Sequence, residues 1–236
     1  MHLAPNVALV NTEAAVSLIQ GTQRDSQLKA WLGDPSQFEH ITEVSGAIIS
    51  AHSALRSGAD TITALTGDAT RSEPERHAVG GEVSARTVAK LEAAQDTLTR
   101  HAAAYQAAGE EALRSKFTLK PDDRFMHEQW MAFIHREAAN KDGGYSNITT
   151  ALSKHRDLAN VIMKLPAELL NVAPAQLDRW KVAAITKWEP GIQDSLQMAE
   201  DIREVASRYS RVIGMVKTNF HSKGIAAKVA TRVRLS

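Results

Sequence analysis

Hydrophobic side chains recur at intervals of three and four residues along most of this chain, which is the spacing of one face of an α-helix. The segment that follows Gly33 combines this pattern with helix start signals. Asp34 is suited to cap a helix N-terminus, and Pro35 stands at the first helical position, where a backbone N–H would have no partner within the helix. We therefore predict a helix from Pro35 onwards. Its apolar stripe is Phe38, Ile41, Val44, Ile48, Ile49, His52 and Leu55.

Two further stripes keep a seven-residue register, and the second of them is the longest in the chain. Such repeats are typical of long helices that pack side by side. The pattern therefore predicts an all-α fold in which long helices form an extended bundle. Alternation of apolar and polar residues, which would indicate a strand, occurs only in "KVATRVRL" at the end of the chain. The stripes are Val88, Leu91, Gln95, Leu98, Ala102 and Tyr105 in the first segment and Ile192, Ala199, Ile202, Ala206, Tyr209, Ile213, Val216 and Phe220 in the second.

Polar segments and prolines interrupt the periodicity and divide the chain. The run "TGDATRSEPERHAVGGE" is polar and contains glycines, which predicts a loop. Prolines in 166–190 predict short helices there, because proline disfavours helical backbone at the residue before it. We expect a single further helix from Ser146 to Ile162. The predicted divisions are an N-terminal arm with helices (1–67), the polar loop (68–82), a main helical bundle (83–221) and a C-terminal arm (222–236).

Charge is distributed unevenly between the two ends of the chain. The 236 residues carry a formal net charge of +1. Residues 1–204 contain 21 basic and 27 acidic side chains, whereas residues 205–236 contain seven basic side chains and no acidic one. A chain with one basic end can associate head to tail with copies of itself or present that end to a polyanion.

Composition excludes several classes of protein. The chain has no cysteine, which excludes disulfides and thiolate chemistry. No apolar run reaches the roughly 20 residues that a membrane-spanning helix needs. The start, "MHLAPNVALV", lacks the basic region that opens a signal peptide. We therefore expect the protein in the cytoplasm or in a virion.

The densest group of titratable residues is "DDRFMHEQWMAFIHRE". On a helix, Asp123 and His127 share one face, and Glu128 and His135 lie on a neighbouring face. A metal site in a protein needs three or four convergent ligands, which two separate pairs do not supply. The sequence also lacks a Gly-rich phosphate-binding loop. We therefore expect no metal, no cofactor and no catalytic residue.

The stretch "AELLNVAPAQLDRWKVAA", residues 167–184, resembles the helix-turn-helix unit of DNA-binding proteins. Leu170 would end the first helix, and Asn171 would occupy the tight turn, because Asn tolerates left-handed backbone. Leu177 and Trp180 would then face the core from the second helix.

In helix-turn-helix proteins the second helix enters the major groove of DNA. The resemblance implies that Gln176 and Arg179 read base edges and that Lys181 lies near phosphate. The stretch departs from the usual pattern at Ala173, where a capping Ser or Thr is common, and Asp178 would bring a negative charge to DNA. The alternative interpretation is two short helices joined by a turn.

The C-terminal arm is both basic and amphipathic. A helix would align its apolar residues beside its cations, and a strand would place them on opposite faces. The arm is therefore predicted to bind a neighbouring subunit, nucleic acid phosphate or an anionic membrane surface, unless it is a solvated tail. Because its apolar residues recur as regularly as its charges, docking on a neighbouring subunit is favoured. The predicted partner-binding residues are Ile225, Lys228, Val229, Arg232, Val233 and Arg234.

Three classes of function remain open from the sequence. The first is a non-catalytic structural subunit of a large bacterial or bacteriophage complex, such as a virion, ejection, adaptor or secretion component. Such a subunit would form homo-oligomers or bind other protein subunits. The second is a DNA-binding protein that dimerises through the helix over 190–220. The third is a peripheral membrane protein that uses its C-terminal arm.

Overall fold

The computed structural model describes residues 7–140 and 142–229. Within these ranges the chain forms helices and no β-strand, so the all-α prediction is confirmed. None of the helices described is both long and apolar enough to cross a membrane. Three short 3-10 helices accompany the α-helices: Pro35–Phe38, Pro121–Asp123 and Ala227–Val229. The α-helices are α1 (Glu13–Thr22), α2 (Asp25–Leu32), α3 (Thr42–Thr66), α4 (Glu73–Lys116), α5 (Arg124–Ala139), α6 (Gly144–Leu152), α7 (Arg156–Lys164), α8 (Ala167–Leu170), α9 (Pro174–Trp188), α10 (Pro190–Asn219) and α11 (Lys223–Ala226).

The chain divides into two compact units. Unit 2 comprises residues 103–200, and unit 1 combines the residues before and after that segment. Unit 2 is therefore continuous in sequence and interrupts unit 1, and the long helices α4 and α10 contribute residues to both. These boundaries differ from the predicted single bundle over 83–221, because a seam of regular spacing does not reveal where one core ends and the next begins.

The core of unit 1 is built from long amphipathic helices. Of the predicted α10 stripe, the six residues from Ile202 to Phe220 are buried in this unit; Ile192 and Ala199 are also buried but belong to unit 2. In the α4 stripe, Gln95 is half-buried, and its Nε2 donates to the Ala206 carbonyl oxygen (3.3 Å) and to Ser210 Oγ (3.1 Å) of α10. Its amide therefore joins the two helices by hydrogen bonds, which satisfy a polar group that is partly buried.

The segment predicted as one helix from Pro35 forms two helices. Asp34 Oδ1 accepts from the Ser36 backbone N–H (3.1 Å), which starts the 3-10 helix as the sequence indicates, but the chain turns before α3. Both Phe38 and Ile41 are buried across this turn. Ile49 was predicted to be buried and is 54% exposed. It follows the buried Ile48 by about 100° of helix rotation, which carries it off the stripe.

The predicted loop over 68–82 is shorter in the structure, because α4 already begins at Glu73. The Ser72 backbone N–H and Oγ both donate to Glu75 Oε2 (2.8 and 2.7 Å), which is the capping box that starts a helix. Gly80 and Gly81 lie inside α4. A Cβ on Gly80 would lie 2.9 Å from Leu9 Cδ1, so the glycine permits a close contact and does not form a turn.

Unit 2 has a hydrophobic core of its own, in which α5 to α9 pack together. Two tryptophans join its helices by hydrogen bonds: Trp180 Nε1 donates to Thr149 Oγ1 (3.2 Å), and Trp188 Nε1 donates to the Leu152 carbonyl oxygen (3.0 Å). The helix predicted from Ser146 to Ile162 is divided into α6 and α7. Its predicted apolar residues are buried except His155, which is exposed between the two helices.

Glycine is required where α3 meets its neighbours, and this generates a stability prediction. A Cβ on Gly58 would lie 2.5 Å from Thr87 Oγ1 and 3.0 Å from Phe220 Cε2, and both neighbours are buried. We expect Gly58→Ala to lower the free energy of unfolding by about 1–3 kcal/mol, because the core must be displaced. Urea denaturation of the purified protein measures this change.

The matched control is Gly46→Ala in the same helix. No atom lies within 4 Å of a Cβ on Gly46. Alanine is the better helix former, so this variant should gain about 0.5–1 kcal/mol. If both variants gained stability equally, the close packing at Gly58 would be wrong.

Candidate functional site

Two of the four titratable residues singled out in the segment around α5, Glu128 and His135, have different partners. Glu128 Oε1 lies 3.0 Å from Arg124 Nε, and His135 Nε2 donates to the Leu169 carbonyl oxygen at 2.8 Å. Within residues 7–140 and 142–229, no group of three or more His, Cys, Asp or Glu side chains could hold a metal ion. The Glu128 ion pair is a surface contact, and the His135 hydrogen bond connects α5 to α8.

A groove between α5 and α6 also carries titratable side chains. Phe133, Glu137, Lys154 and His155 are among the residues that line it. The Glu137 carboxylate accepts from Asn147 Nδ2 (2.8 Å) and from Arg136 Nε (3.0 Å). These bonds, the one from Asn147 first, hold the pKa of Glu137 below its usual value. A carboxylate that is held ionised in this way is a weak general base.

Residues 167–184 form two helices, α8 and α9, that are joined by a turn. Asn171 ends α8 with φ 50° and ψ 46°, so the predicted left-handed turn is confirmed. Leu177 and Trp180 are buried as predicted. The first helix of the pair, however, is a single turn of four residues.

The residues predicted to touch DNA differ in their exposure. Arg179 is exposed, whereas Gln176 and Lys181 are half-buried. Asp178 is exposed on the same helix. Residues 103–200 contain 12 basic and 13 acidic side chains, so unit 2 lacks the excess of positive charge that supplies most non-specific affinity for nucleic acid.

Exposed apolar side chains are concentrated in unit 2. Seven large hydrophobic residues are exposed in the part of the chain that the structure describes, and five of them belong to this unit. Exposed apolar surface that is gathered in one region is typical of protein interaction sites. The five residues are Phe125, Met126, Tyr145, Leu169 and Val182.

One of these residues belongs to an apolar groove of about 230 Å³. The groove lies between α9 and the start of α10, where Val182, Ile185 and Leu196 supply apolar surface and two glutamines supply amides. Val182 is 57% exposed, and Ile185 and Leu196 are half-buried. Thr186 Oγ1 donates to Gln193 Oε1 (2.6 Å), which connects the two helices. A groove of this size and chemistry suits one large apolar side chain of a partner.

A cleft of about 480 Å³ lies between α3 and α4 of unit 1 and has a mixed polar and apolar lining. It presents the hydroxyls of Ser53, Ser57 and Thr61 and the cations of Arg86 and Lys90. All five side chains are exposed to solvent, where water screens the attraction between a cation and an anion. The cleft therefore holds a bound anion less well than a buried site would.

The C-terminal arm is helical as far as the structure describes it. Ile225 is half-buried, Lys228 is exposed and Val229 is 37% exposed. Lys228 and Val229 line a small cleft of about 220 Å³ with residues at the start of α4, so this part of the arm lies against its own unit 1. The other predicted partner-binding residues lie outside the described residues: Arg232, Val233 and Arg234.

A histidine pair joins the arm to α4. His77 Nδ1 accepts a hydrogen bond from the Ser222 backbone N–H (3.0 Å), and the His221 ring lies against Gly81. Neither histidine is among the residues that the sequence pattern singled out. The glycine pair inside a capped helix was the signal for a close contact at this point. The chain matches no protein-family model, no curated protein and no solved structure.

The left-handed turn at Asn171 generates a prediction with its own control. We expect Asn171→Ala to lower the free energy of unfolding by about 1–2 kcal/mol, because alanine disfavours left-handed backbone. Asn171→Gly should leave stability nearly unchanged, since glycine adopts this conformation readily. Thermal unfolding of the two variants provides the comparison, and equal losses would argue against a left-handed turn.

Proposed function

We propose that this protein is a non-catalytic subunit of a large assembly and that unit 2 binds another protein subunit, in the first instance a second copy of the chain. The apolar groove between α9 and α10 is the observation that carries the proposal. Its lining residues leave apolar surface in contact with water, and a partner side chain that filled the groove would remove that surface from water. The alanine-rich, cysteine-free composition suits a subunit of a bacterial or bacteriophage complex, such as a virion, adaptor or secretion component.

Typical free-energy contributions favour binding through several apolar side chains over binding through ion pairs. Burying one large aliphatic or aromatic side chain contributes about 1.5–3 kcal/mol, whereas an exposed ion pair contributes less than about 1 kcal/mol. The groove accepts one such anchor, and Phe125 and Leu169 are exposed and available as others. Association of two proteins costs free energy, and one anchor does not offset that cost. Several anchors buried together are needed.

A DNA-binding protein is the second candidate, and the observed turn at Asn171 is the observation in its favour. Its second helix would present Arg179 and, less fully, Gln176 and Lys181. The balance of charge in residues 103–200 favours protein over nucleic acid as the partner of unit 2.

Native mass measurement with and without nuclease separates the two candidates. We expect the purified protein to form an oligomer whose mass is unchanged by nuclease. A monomer would contradict self-association, and an oligomer that dissociates on nuclease treatment would favour the DNA-binding alternative.

A substitution tests the groove itself. Val182→Glu should raise the dissociation constant of the oligomer at least about tenfold, because it replaces an apolar contact with a charge that must be desolvated. Sedimentation over a range of concentrations measures the change. The matched control is Ile49→Glu, which alters a similarly exposed β-branched residue of unit 1 and should leave the oligomer intact. Equal effects of the two substitutions would exclude the groove as the interface.

A further inference from the structure

His77 holds the first residue of the C-terminal arm through a bond that only a neutral ring can form. The side chain lies in the second turn of α4 and is 2% exposed. Its Nδ1 accepts the hydrogen bond from the Ser222 backbone N–H at 3.0 Å. An imidazole nitrogen accepts only when it carries no proton, so this bond requires the neutral tautomer with hydrogen on Nε2.

His221, directly before Ser222, adds a second imidazole to the contact. A Cβ on Gly81 would lie 3.3 Å from His221 Cδ2 and 3.4 Å from its Nε2, so the ring packs on the α4 backbone. Its Nδ1 is buried and has no hydrogen-bond partner in the structure. Protonation would place a charged donor there with no acceptor, which is unfavourable in a buried position.

Burial is the main reason that protonation of the two histidines is unfavourable. Burial lowers the pKa of His77 below its ordinary value; Glu73 raises it, and His221 and Arg76 lower it. Burial also lowers the pKa of His221, and Lys223 adds to the effect. The described N-terminal residues 7–12, which include Leu9 beside Gly80, contribute no titratable side chain.

Further charges lie near these groups. Arg76 donates from Nη1 to the Thr66 carbonyl oxygen at the end of α3 (2.9 Å), and Asp68 of the following loop lies within electrostatic range of Arg76. Glu75 lines the cleft beside Lys228. Among the groups named, the Glu73 carboxylate favours protonation of His77, whereas Arg76 and Lys223 oppose protonation of the pair.

The arm itself is held by few buried contacts. Neither α11 nor the 3-10 helix that follows it contains a buried residue. Segments with little buried apolar surface open at low free energy compared with the core. The loss of one buried hydrogen bond therefore matters more here than it would in a long helix.

We propose that His77 and His221 form a pH-sensitive clasp that holds the arm from Ser222 onwards on unit 1 when both rings are neutral and releases it when they are protonated. On release, both imidazolium groups gain water and Ser222 loses its acceptor. Repulsion between the charged rings and Lys223 acts in the same direction. The clasp is a property of the single chain and does not depend on the proposed subunit function.

The sign of the pH dependence follows from the neutral state of the closed form. When the arm is released from α4, both histidines are solvated and have ordinary pKa values near 6.5. The clasp is therefore fully closed above about pH 6.5, and its stability is lost as the pH falls through the lower pKa values of the closed form. Acid releases the arm, and return to neutral pH closes it again.

Hydrogen exchange of the full-length protein between pH 8 and pH 5, corrected for intrinsic exchange rates, tests the clasp. We expect the protection of the Ser222 amide and of residues 222–229 to fall at least about tenfold towards pH 5. Protection of α10 around Ile202 reports whether the core stays folded over the same range. Arm protection that does not change with pH while α10 stays protected would overturn the proposal.

His77→Asn is the decisive variant, because its side-chain oxygen can accept from Ser222 without titrating. We expect its arm protection to lose most of the pH dependence, with the remainder due to His221, whereas His77→Phe should lose protection at every pH. His101→Asn is the matched control, since His101 lies on the same helix and its Nε2 contacts Glu43 Oε2 at 2.7 Å. It should retain the wild-type profile.

Nitrogen NMR of the unmodified chain provides a measurement that does not depend on how the variants fold. The His77 ring should show the Nε2–H tautomer at neutral pH, and its titration should coincide with the shift of the Ser222 amide. Separate titrations of the two signals, or a wild-type profile in His77→Asn, would overturn the clasp.

Discussion

The contact of Phe220 with α3 and α4 is the constraint on which unit 1 depends. Its ring lies 3.0 Å from the position of a Cβ on Gly58, and its carbonyl oxygen lies 3.4 Å from the position of one on Gly80. The side chain is fully buried at the end of α10. Two helices thus carry glycine where this residue approaches them, which fixes the register of α10. That register places His221 and Ser222 beside His77, so the arm contact is a consequence of core packing.

The long helices were predictable because their burial follows a single periodicity. Every residue of the predicted α10 stripe is buried, and a regular pattern over many turns leaves little room for another interpretation. Shorter signals were ambiguous. Gly80 and Gly81 indicate a loop when read locally, and only the capping pair Ser72 and Glu75 signals that a helix has already begun. Glycine serves equally in a turn and in a close contact, and tertiary structure decides between the two.

The candidate sites also differ in whether residues close together in the sequence or residues far apart form them. The left-handed Asn171 was predictable because the turn depends on neighbouring residues. The groove between α9 and α10 was not, because Val182 and Leu196 come from two helices and neither stands out alone. Docking of the amphipathic arm on a neighbouring subunit stays a prediction. The pattern of the arm could not show that the described part lies against its own chain, at a histidine 145 residues away from Ser222.

Buried polar groups in unit 1 differ in whether acid can act on them. Tyr209 is fully buried and its hydroxyl has no partner among the described residues; burial raises its pKa, so it stays neutral throughout the physiological range. His52 and His101 both donate to oxygen atoms, and a protonated ring can still make those bonds. His77 accepts from a backbone N–H, which protonation forbids. The proposed acid-sensitive contact therefore lies at the junction with the arm, whereas the hydrogen bonds of His52, on the α3 stripe, and of His101 survive protonation.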